Sequence, residues 1–234
     1  MDRNFQIADI FSGVSALLSK ASREVMIYIL VLGALAILGL VMGYTNSESF
    51  SLEAGFMIDE NDTPMSGLFE LVSAIVSVVA AYLLAKAYLA GSGHLRTTEN
   101  RFWPYLGMGI LSVLGIVFGF VLLIVPGIFL LVRWSAATGY LVGAGKGVTE
   151  SLSDSWDATK GHGWTIFFAG LILMISLVIV GGIIGAVLGV AGDALSSYLL
   201  AFVEAAAGAI SIAFGISVYT LVSNDAGDVS EVFS

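Results

Sequence analysis

The sequence has 234 residues, of which 58% are hydrophobic and 12% are charged, and its formal net charge is −9. Soluble domains carry about 25% charged residues, so this composition, with a mean hydropathy of +0.96, excludes an ordinary soluble domain. The chain has no cysteine, which excludes disulfides, thiolate metal sites and cysteine nucleophiles.

The first predicted element is an amphipathic helix over residues 4–20. Its apolar residues recur at helical spacing and share one face: Ile7, Ile10, Phe11, Val14, Leu17 and Leu18. A helix of this kind lies in the membrane interface. Two roles are open for it, bracing of the helix bundle at the cytoplasmic face or recognition of a specific partner.

Long apolar stretches follow, and they predict six transmembrane helices near residues 25–43, 67–89, 102–125, 128–145, 163–190 and 196–222. A span needs about 20 residues to cross ~30 Å of hydrocarbon, so the fifth is overlong and should tilt, kink or protrude. We therefore predict an all-α polytopic membrane protein, with residues 1–234 in a single membrane domain. The acidic residues 223–234 are expected to form a flexible tail.

The basic residues predict the orientation of these spans. Eight of the nine lysines and arginines fall before the first span, in the last turn of the second span or in the connections after the second and fourth spans. The acidic loop 44–66 has no basic residue. The positive-inside rule makes the basic side cytoplasmic, so both termini are expected to face the cytoplasm.

The 44 residues between Arg101 and Lys146 contain one charge, Arg133. This stretch is too long for one span and suits two, with Pro126 and Gly127 in the tight outer turn, because proline interrupts a helix and glycine relieves a turn sterically. The alternative is a mid-membrane kink or re-entrant loop. That alternative places Arg101 and Lys146 on opposite sides, against the charge rule.

Arg133 and Glu204 are the candidate polar site within the membrane. Counted from the outer turns, Arg133 lies ~9 Å deep and Glu204 ~10 Å deep at 1.5 Å per residue. Buried charges in a bilayer usually pair or line a wet cavity, so we predict an Arg133–Glu204 ion pair, with Glu70 as a possible third member. Such a pair either fixes helix register or forms an anion or headgroup site in which Arg133 is the phosphate-binding fork.

A second amphipathic helix is predicted at 148–161, between spans four and five. Trp156 is expected at headgroup depth, with Lys146 and Lys160 at the same interface. In span five, Gly181, Gly185 and Gly189 recur every four residues, a spacing that lets helices approach closely in lipid. These glycines are expected in helix packing, with an oligomer seam or a flexible point as the alternative.

Enzyme motifs are not matched. The segment GAGKGVT lacks the spacing of a phosphate-binding loop, and Gly147 stands where a Ser or Thr would ligate magnesium. His94 and His162 lie in short connectors and offer little for a metal cluster. We therefore expect no enzymatic activity, no metal, no cofactor and no nucleic-acid partner.

Several residues between 121 and 164 form a pattern: an apolar run into Pro126–Gly127, a span with Arg133, a Lys146–Gly147 turn, then Ser155–Trp156, Gly161 and Trp164. The pattern resembles the central signature of the glycerophosphoryl diester phosphodiesterase membrane-domain family, whose relatives include six-helix bacterial membrane proteins. The family often has a glutamate before the Lys–Gly turn, where this chain has Ala144–Gly145. In fused members the phosphodiesterase site lies in a separate soluble domain, so the resemblance implies a membrane module without catalysis.

Two functions are therefore open. The first is a non-enzymatic membrane module, a scaffold or accessory subunit that binds a partner protein or lipid, with a homo-oligomer possible. The second is a small transporter or lipid-handling protein whose polar site is Arg133 with Glu204.

Overall fold

The computed structural model describes residues 5–44, 63–190 and 192–232, with side chains for all of these except 193, 194 and 224–232. Within these ranges the chain forms helices and turns and no strand. The helices are α1 (Ile7–Lys20), α2 (Ser22–Met42), α3 (Pro64–Gly91), α4 (Phe102–Leu122), α5 (Ile124–Arg133), α6 (Val148–Ala158), α7 (Gly163–Gly189) and α8 (Asp193–Val232), with a π-helical turn at Gly139–Gly143.

Five of these helices are long and apolar enough to cross a membrane: α2, α3, α4, α7 and the Leu195–Ser223 part of α8. Little of each apolar window is buried within the protein, from none in α7 to 28% in α8, so the lipid must cover the remaining apolar surface. The predicted fold class, an all-α polytopic membrane protein, is confirmed.

The predicted fourth span, 128–145, is wrong as a single helix. Helix α5 has 10 residues and ends at Arg133, a turn follows at 134–136, and the chain continues into the π-helical turn. The Ser135 hydroxyl donates to the Val132 carbonyl at 2.8 Å, and such a bond to the preceding turn competes with helix continuation. Hydropathy cannot detect this break, because apolar residues lie on both sides of it.

The turn between α4 and α5 also differs from the prediction. The chain reverses at Leu123, which is extended (φ −164°, ψ 149°), while Pro126 and Gly127 lie in the first turns of α5. Proline is compatible with a first helical turn, where its missing N–H would have no partner. A Cβ on Gly119 of α4 would lie 3.0 Å from the Gly127 Cα, so the two glycines set the close approach of α4 to α5.

Helices α4 and α5 nevertheless form a hairpin that enters and leaves at one end of the bundle. The Arg101 guanidinium donates to the carbonyls of Gly145 and Lys146, and the Arg96 N–H donates to the Gly143 carbonyl at 2.8 Å. The alternative with Arg101 and Lys146 on opposite sides is therefore excluded. We call this end, which holds Arg96, Arg101 and Lys146, the basic end.

Helix α1 braces the bundle at the basic end. The predicted apolar face is buried by protein: Ile10, Val14 and Leu17 are 0–5% exposed. The Ser217 hydroxyl of α8 donates to the Ile10 carbonyl at 2.8 Å. A Cβ on Gly13 would lie 2.1 Å from the Ser217 Oγ, so only glycine allows this approach between α1 and α8.

Helix α8 continues through Val232, past the predicted end of the sixth span at 222. The expected flexible tail 223–234 is therefore helical as far as residue 232, since no proline interrupts the helix there. Residue 4 of the first predicted element, residues 45–62 of the acidic loop and residues 233–234 lie outside the described residues.

Candidate functional site

The buried core lies at the basic end, and three of its polar members come from α6 and the residue that caps it. Ser151, Ser155 and Thr159 are all 0% exposed. Their four-residue spacing places them on one face of α6, next to Leu152, which is also buried. This face packs α6 against the chain between α5 and the π-helical turn.

Ser155 fixes the end of α5. Its hydroxyl donates to the Arg133 carbonyl at 2.7 Å and accepts from the Ala136 N–H at 3.2 Å. The carbonyls at the end of a helix have no partner within the helix, so a serine from another element satisfies one of them. The position of Arg133 therefore depends on α6.

The Arg133 side chain packs against two aromatic rings. Its guanidinium carbon is 5.0 Å from the Phe129 ring centroid and 5.7 Å from the Trp156 centroid. The two rings meet edge to face, with centroids 5.2 Å apart. Both contacts are within the range of cation–π attraction, so the rings hold the guanidinium without neutralising it.

The hydrogen bonding of this guanidinium is incomplete. Its Nη1 donates to the Thr159 hydroxyl at 3.5 Å, the outer limit for such a bond. Its Nε is buried and has no hydrogen-bond partner among the described residues. No described carboxylate lies within 4.0 Å of Arg133. Arg133 is therefore a partly buried cation without a counter-ion in the described part of the chain.

The predicted Arg133–Glu204 pair is not formed. Arg133 packs against Thr159 and Trp156 beside α6, whereas Glu204 lies exposed on α8. The depth estimate assumed a helix that starts after Gly127 and continues inward, but α5 starts at Ile124 and ends at Arg133. Glu70, the proposed third member, is exposed near the start of α3 and has no ion pair with Arg133.

The other cations of this region already have partners. Lys146 pairs with Asp154 and, at 3.5 Å, with Glu150. Lys160 pairs with Asp157 at 2.5 Å on the exposed side of α6. The hydrogen bond to Asp154 raises the pKa of Lys146 above its ordinary value of 10.5, against an opposing effect of burial. This contribution to stability is complete below pH 10.5 and is lost as the pH rises through the raised pKa.

Of the three glycines predicted to pack in span five, only Gly185 contacts another helix within the described residues. A Cβ on Gly181 or Gly189 would meet no atom within 4 Å, and one on Gly185 would make ordinary contact with Leu200. Close approach occurs instead at Gly33 against Phe202, Gly115 against Trp134 and Gly139 against Tyr219. Sequence spacing shows where small residues recur, but not which helix lies opposite them.

An apolar groove of about 420 Å³ lies between α2 and α3. It is lined mainly by aliphatic side chains, with Tyr28 and Glu24 as its polar members. Arg133 is not among its lining residues. The groove and the arginine are therefore separate features of the molecule.

Sequence analysis missed Ser155, Thr159 and Phe129. A signal for the first two was present, since Ser151, Ser155 and Thr159 recur at four-residue spacing in a short amphipathic helix. Phe129 lies four residues before Arg133, one turn away on α5, so its contact with the guanidinium also follows from helical spacing.

Comparison of the chain with protein-family models, with curated proteins and with solved structures finds no match. The resemblance to the glycerophosphoryl diester phosphodiesterase membrane-domain family therefore stays a prediction from residues 121–164. The site must be interpreted from its own geometry.

Proposed function

We propose that this protein is a non-enzymatic membrane module that binds the headgroup phosphate of an anionic lipid at Arg133. The observation that carries the proposal is that the Arg133 guanidinium has no carboxylate within 4.0 Å in the described chain. It contacts only the rings of Phe129 and Trp156 and, weakly, the Thr159 hydroxyl. A partly buried cation without a counter-ion is costly, and an anionic ligand would lower that cost.

The chemistry of the group favours phosphate. A guanidinium has five N–H donors in a plane, and it binds carboxylate or phosphate oxygens with two parallel hydrogen bonds. The two rings lie on one side of the guanidinium, 5.0 and 5.7 Å from its carbon and 5.2 Å from each other, so they leave its other side uncovered. Arg133 uses one donor weakly, toward Thr159 at 3.5 Å, so most of its hydrogen-bonding capacity remains for a ligand.

The position of Arg133 favours a lipid as the source of that phosphate. The exposed Asp157–Lys160 ion pair lies within one helical turn of Trp156 and Thr159, and exposed charges require the aqueous or headgroup region. The long helices are covered by apolar side chains. Arg133 thus lies where headgroups of the surrounding leaflet are found, and the positive-inside rule makes that leaflet cytoplasmic.

The transporter alternative loses its support with the absent Arg133–Glu204 pair. The scaffold alternative needs a partner protein that places a carboxylate or phosphate at the same cation. The family resemblance at 121–164 agrees with a membrane module without catalysis. A bacterial inner-membrane location, which the family resemblance implies, completes the proposal, together with cytoplasmic termini, which the lysine and arginine distribution predicts.

The test is a lipid titration of the purified protein, followed by native mass spectrometry, with phosphatidylglycerol against phosphatidylcholine as probes. The wild type should bind phosphatidylglycerol more tightly, and R133Q should weaken that binding about 10-fold or more, because hydrogen bonds to a charged group contribute ~1.5–3 kcal/mol.

The matched control is K160Q, which removes an exposed cation of the same helix region that already pairs with Asp157. It should change the affinity less than about 2-fold. Equal effects of R133Q and K160Q would show nonspecific charge attraction and contradict the proposed site.

A further inference from the structure

The tip of the α4–α5 hairpin is an apolar surface that the protein leaves uncovered. Five consecutive aliphatic residues are 59–77% exposed there: Val121, Leu122, Leu123, Ile124 and Val125. A turn of this kind in water would expose more contiguous apolar surface than soluble surfaces tolerate. The surface must therefore contact an apolar medium or an apolar partner.

The sequence around the tip has no group that suits an aqueous boundary. Residues 113–132 contain no polar or charged side chain, and no tryptophan or tyrosine. Membrane–water boundaries are typically marked by tryptophan, tyrosine and charged residues. The first turns of α8, next to the α7–α8 turn, have such residues in sequence, Asp193 and Tyr198.

Contacts with the neighbouring helices fix how far the hairpin extends. A Cβ on Gly215 of α8 would lie 3.0 Å from the Ser135 carbonyl oxygen, so the base of α5 lies level with Gly215. From that level the 10 residues of α5 rise ~15 Å, whereas α8 rises ~33 Å from Gly215 to its start at Asp193. The tip therefore stops on the order of 15 Å short of the α7–α8 turn.

Helix α4 gives a second and somewhat shorter estimate of this rise. A Cβ on Gly115 would lie 2.6 Å from the Trp134 ring, which places Gly115 near the base of α5. Only the residues from Gly115 to Leu122 lie beyond that contact, a rise of ~11 Å. Meanwhile α7 keeps an apolar exposed surface beyond this depth, since Ile183, Val187 and Val190 are 60%, 66% and 90% exposed.

We propose that α4–α5 is a re-entrant hairpin that enters the membrane from the basic end and ends within the hydrocarbon, with its tip in contact with lipid acyl chains. The exposed Asp157–Lys160 pair beside the base of α5 indicates that this base lies at the polar boundary of the membrane. A tip that rises ~11–15 Å above that boundary ends near the middle of hydrocarbon ~30 Å thick. Four helices, α2, α3, α7 and α8, then cross the membrane completely. This inference is independent of the proposed lipid site.

The backbone at the tip suits this environment. Irregular backbone in hydrocarbon must leave few polar groups unpaired. The break is confined to Leu123, whose N–H donates to the Gly119 carbonyl at 3.0 Å and whose carbonyl accepts from the Gly127 N–H at 3.5 Å. The N–H groups of Ile124 and Val125 are the donors of this turn that have no backbone partner in the described chain. Pro126 lies in the next turn and has no N–H to satisfy.

Single-cysteine labelling in lipid nanodiscs tests the hairpin, because the natural chain has no cysteine. The variants are V125C at the tip, V190C at the α7–α8 turn and S153C on α6, all at exposed positions. A charged, membrane-impermeant maleimide reaches both faces of a nanodisc at once. A thiol reacts as its thiolate, which hydrocarbon strongly disfavours.

V125C should react at least about 10-fold more slowly than both controls, and it should react fully after denaturation in SDS. Labelling of V125C within about 2-fold of V190C would overturn the proposal. As a second measurement, V125C is labelled with bimane in detergent and then returned to nanodiscs. Lipids brominated at the middle of the acyl chain should quench the bimane fluorescence there. Absence of that quenching would show that protein, not lipid, covers the tip, and would also overturn it.

Discussion

Replacing Gly139 by alanine should destabilise the protein by about 3 kcal/mol, the upper part of the range for overpacked cores. A Cβ at this position would lie 2.0 Å from Cγ of Tyr219, so it would overlap the tyrosine ring. Tyr219 is 1% exposed and cannot move aside, because the rings of Tyr140 and His94 pack against it at 4.9 and 6.0 Å between centroids. SDS titration in mixed micelles measures the change in unfolding free energy.

The control is Gly189→Ala, because a Cβ there would meet no atom within 4 Å. This variant should be neutral or more stable by up to ~1 kcal/mol, since alanine favours a helix over glycine. A G139A protein as stable as G189A would contradict the tight contact between the π-helical turn and α8.

The second large effect is expected for Ser155→Ala. This change removes the hydroxyl that joins the Arg133 carbonyl to the Ala136 N–H at a site that is 0% exposed. It leaves the Ala136 N–H unpaired and the Arg133 carbonyl with only the 3.5 Å contact from the Thr159 hydroxyl. Buried unsatisfied groups cost ~1–3 kcal/mol each, so the unfolding free energy should fall by about 2–3 kcal/mol. The same SDS titration applies.

Ser153→Ala is the matched control on the same helix, because Ser153 is exposed. Its effect should stay within about 0.5 kcal/mol. S155A should also lower the lipid affinity of Arg133, because Ser155 fixes the end of α5 on which Arg133 lies. Stability loss confined to S153A, or equal in both variants, would refute the role assigned to Ser155.

The sequence predicted the helices well where one physical rule dominates. The length and apolar composition of the chain predicted α2, α3 and α7. The 3.6-residue period of apolar side chains predicted the buried face of α1. The distribution of basic residues also predicted that Arg101 and Lys146 share one end, and their contact confirms it.

Prediction failed inside the uniformly apolar run after Arg101. An apolar segment has the same hydropathy whether it forms a helix, a turn or a re-entrant tip. Hydropathy therefore could not reveal the break at Leu123 or the end of α5 at Arg133. Pro126 was a misleading signal, because proline fits the first turn of a helix as well as it fits a turn. The error in the start of α5 then displaced the expected depth of Arg133.

The site was predicted in part. Arg133 was identified from its charge within an apolar run, but its partners were wrong because a depth estimate cannot say which element faces a side chain. The aromatic rings and the Ser155–Arg133 bond depend on how α6 packs against α5, a tertiary contact between residues 22 positions apart. The spacing of serine and threonine shows which face of α6 is polar, but it does not show that this face packs against the end of α5.

The most direct test of the account is to extract wild type and R133Q from their native membrane in polymer nanodiscs and identify by mass spectrometry what each retains. We expect the wild type to keep an anionic phospholipid in near-stoichiometric amount through delipidation, and R133Q to lose it while remaining folded. A stoichiometric partner protein with no retained lipid, or equal lipid retention by both proteins, would contradict headgroup binding at Arg133.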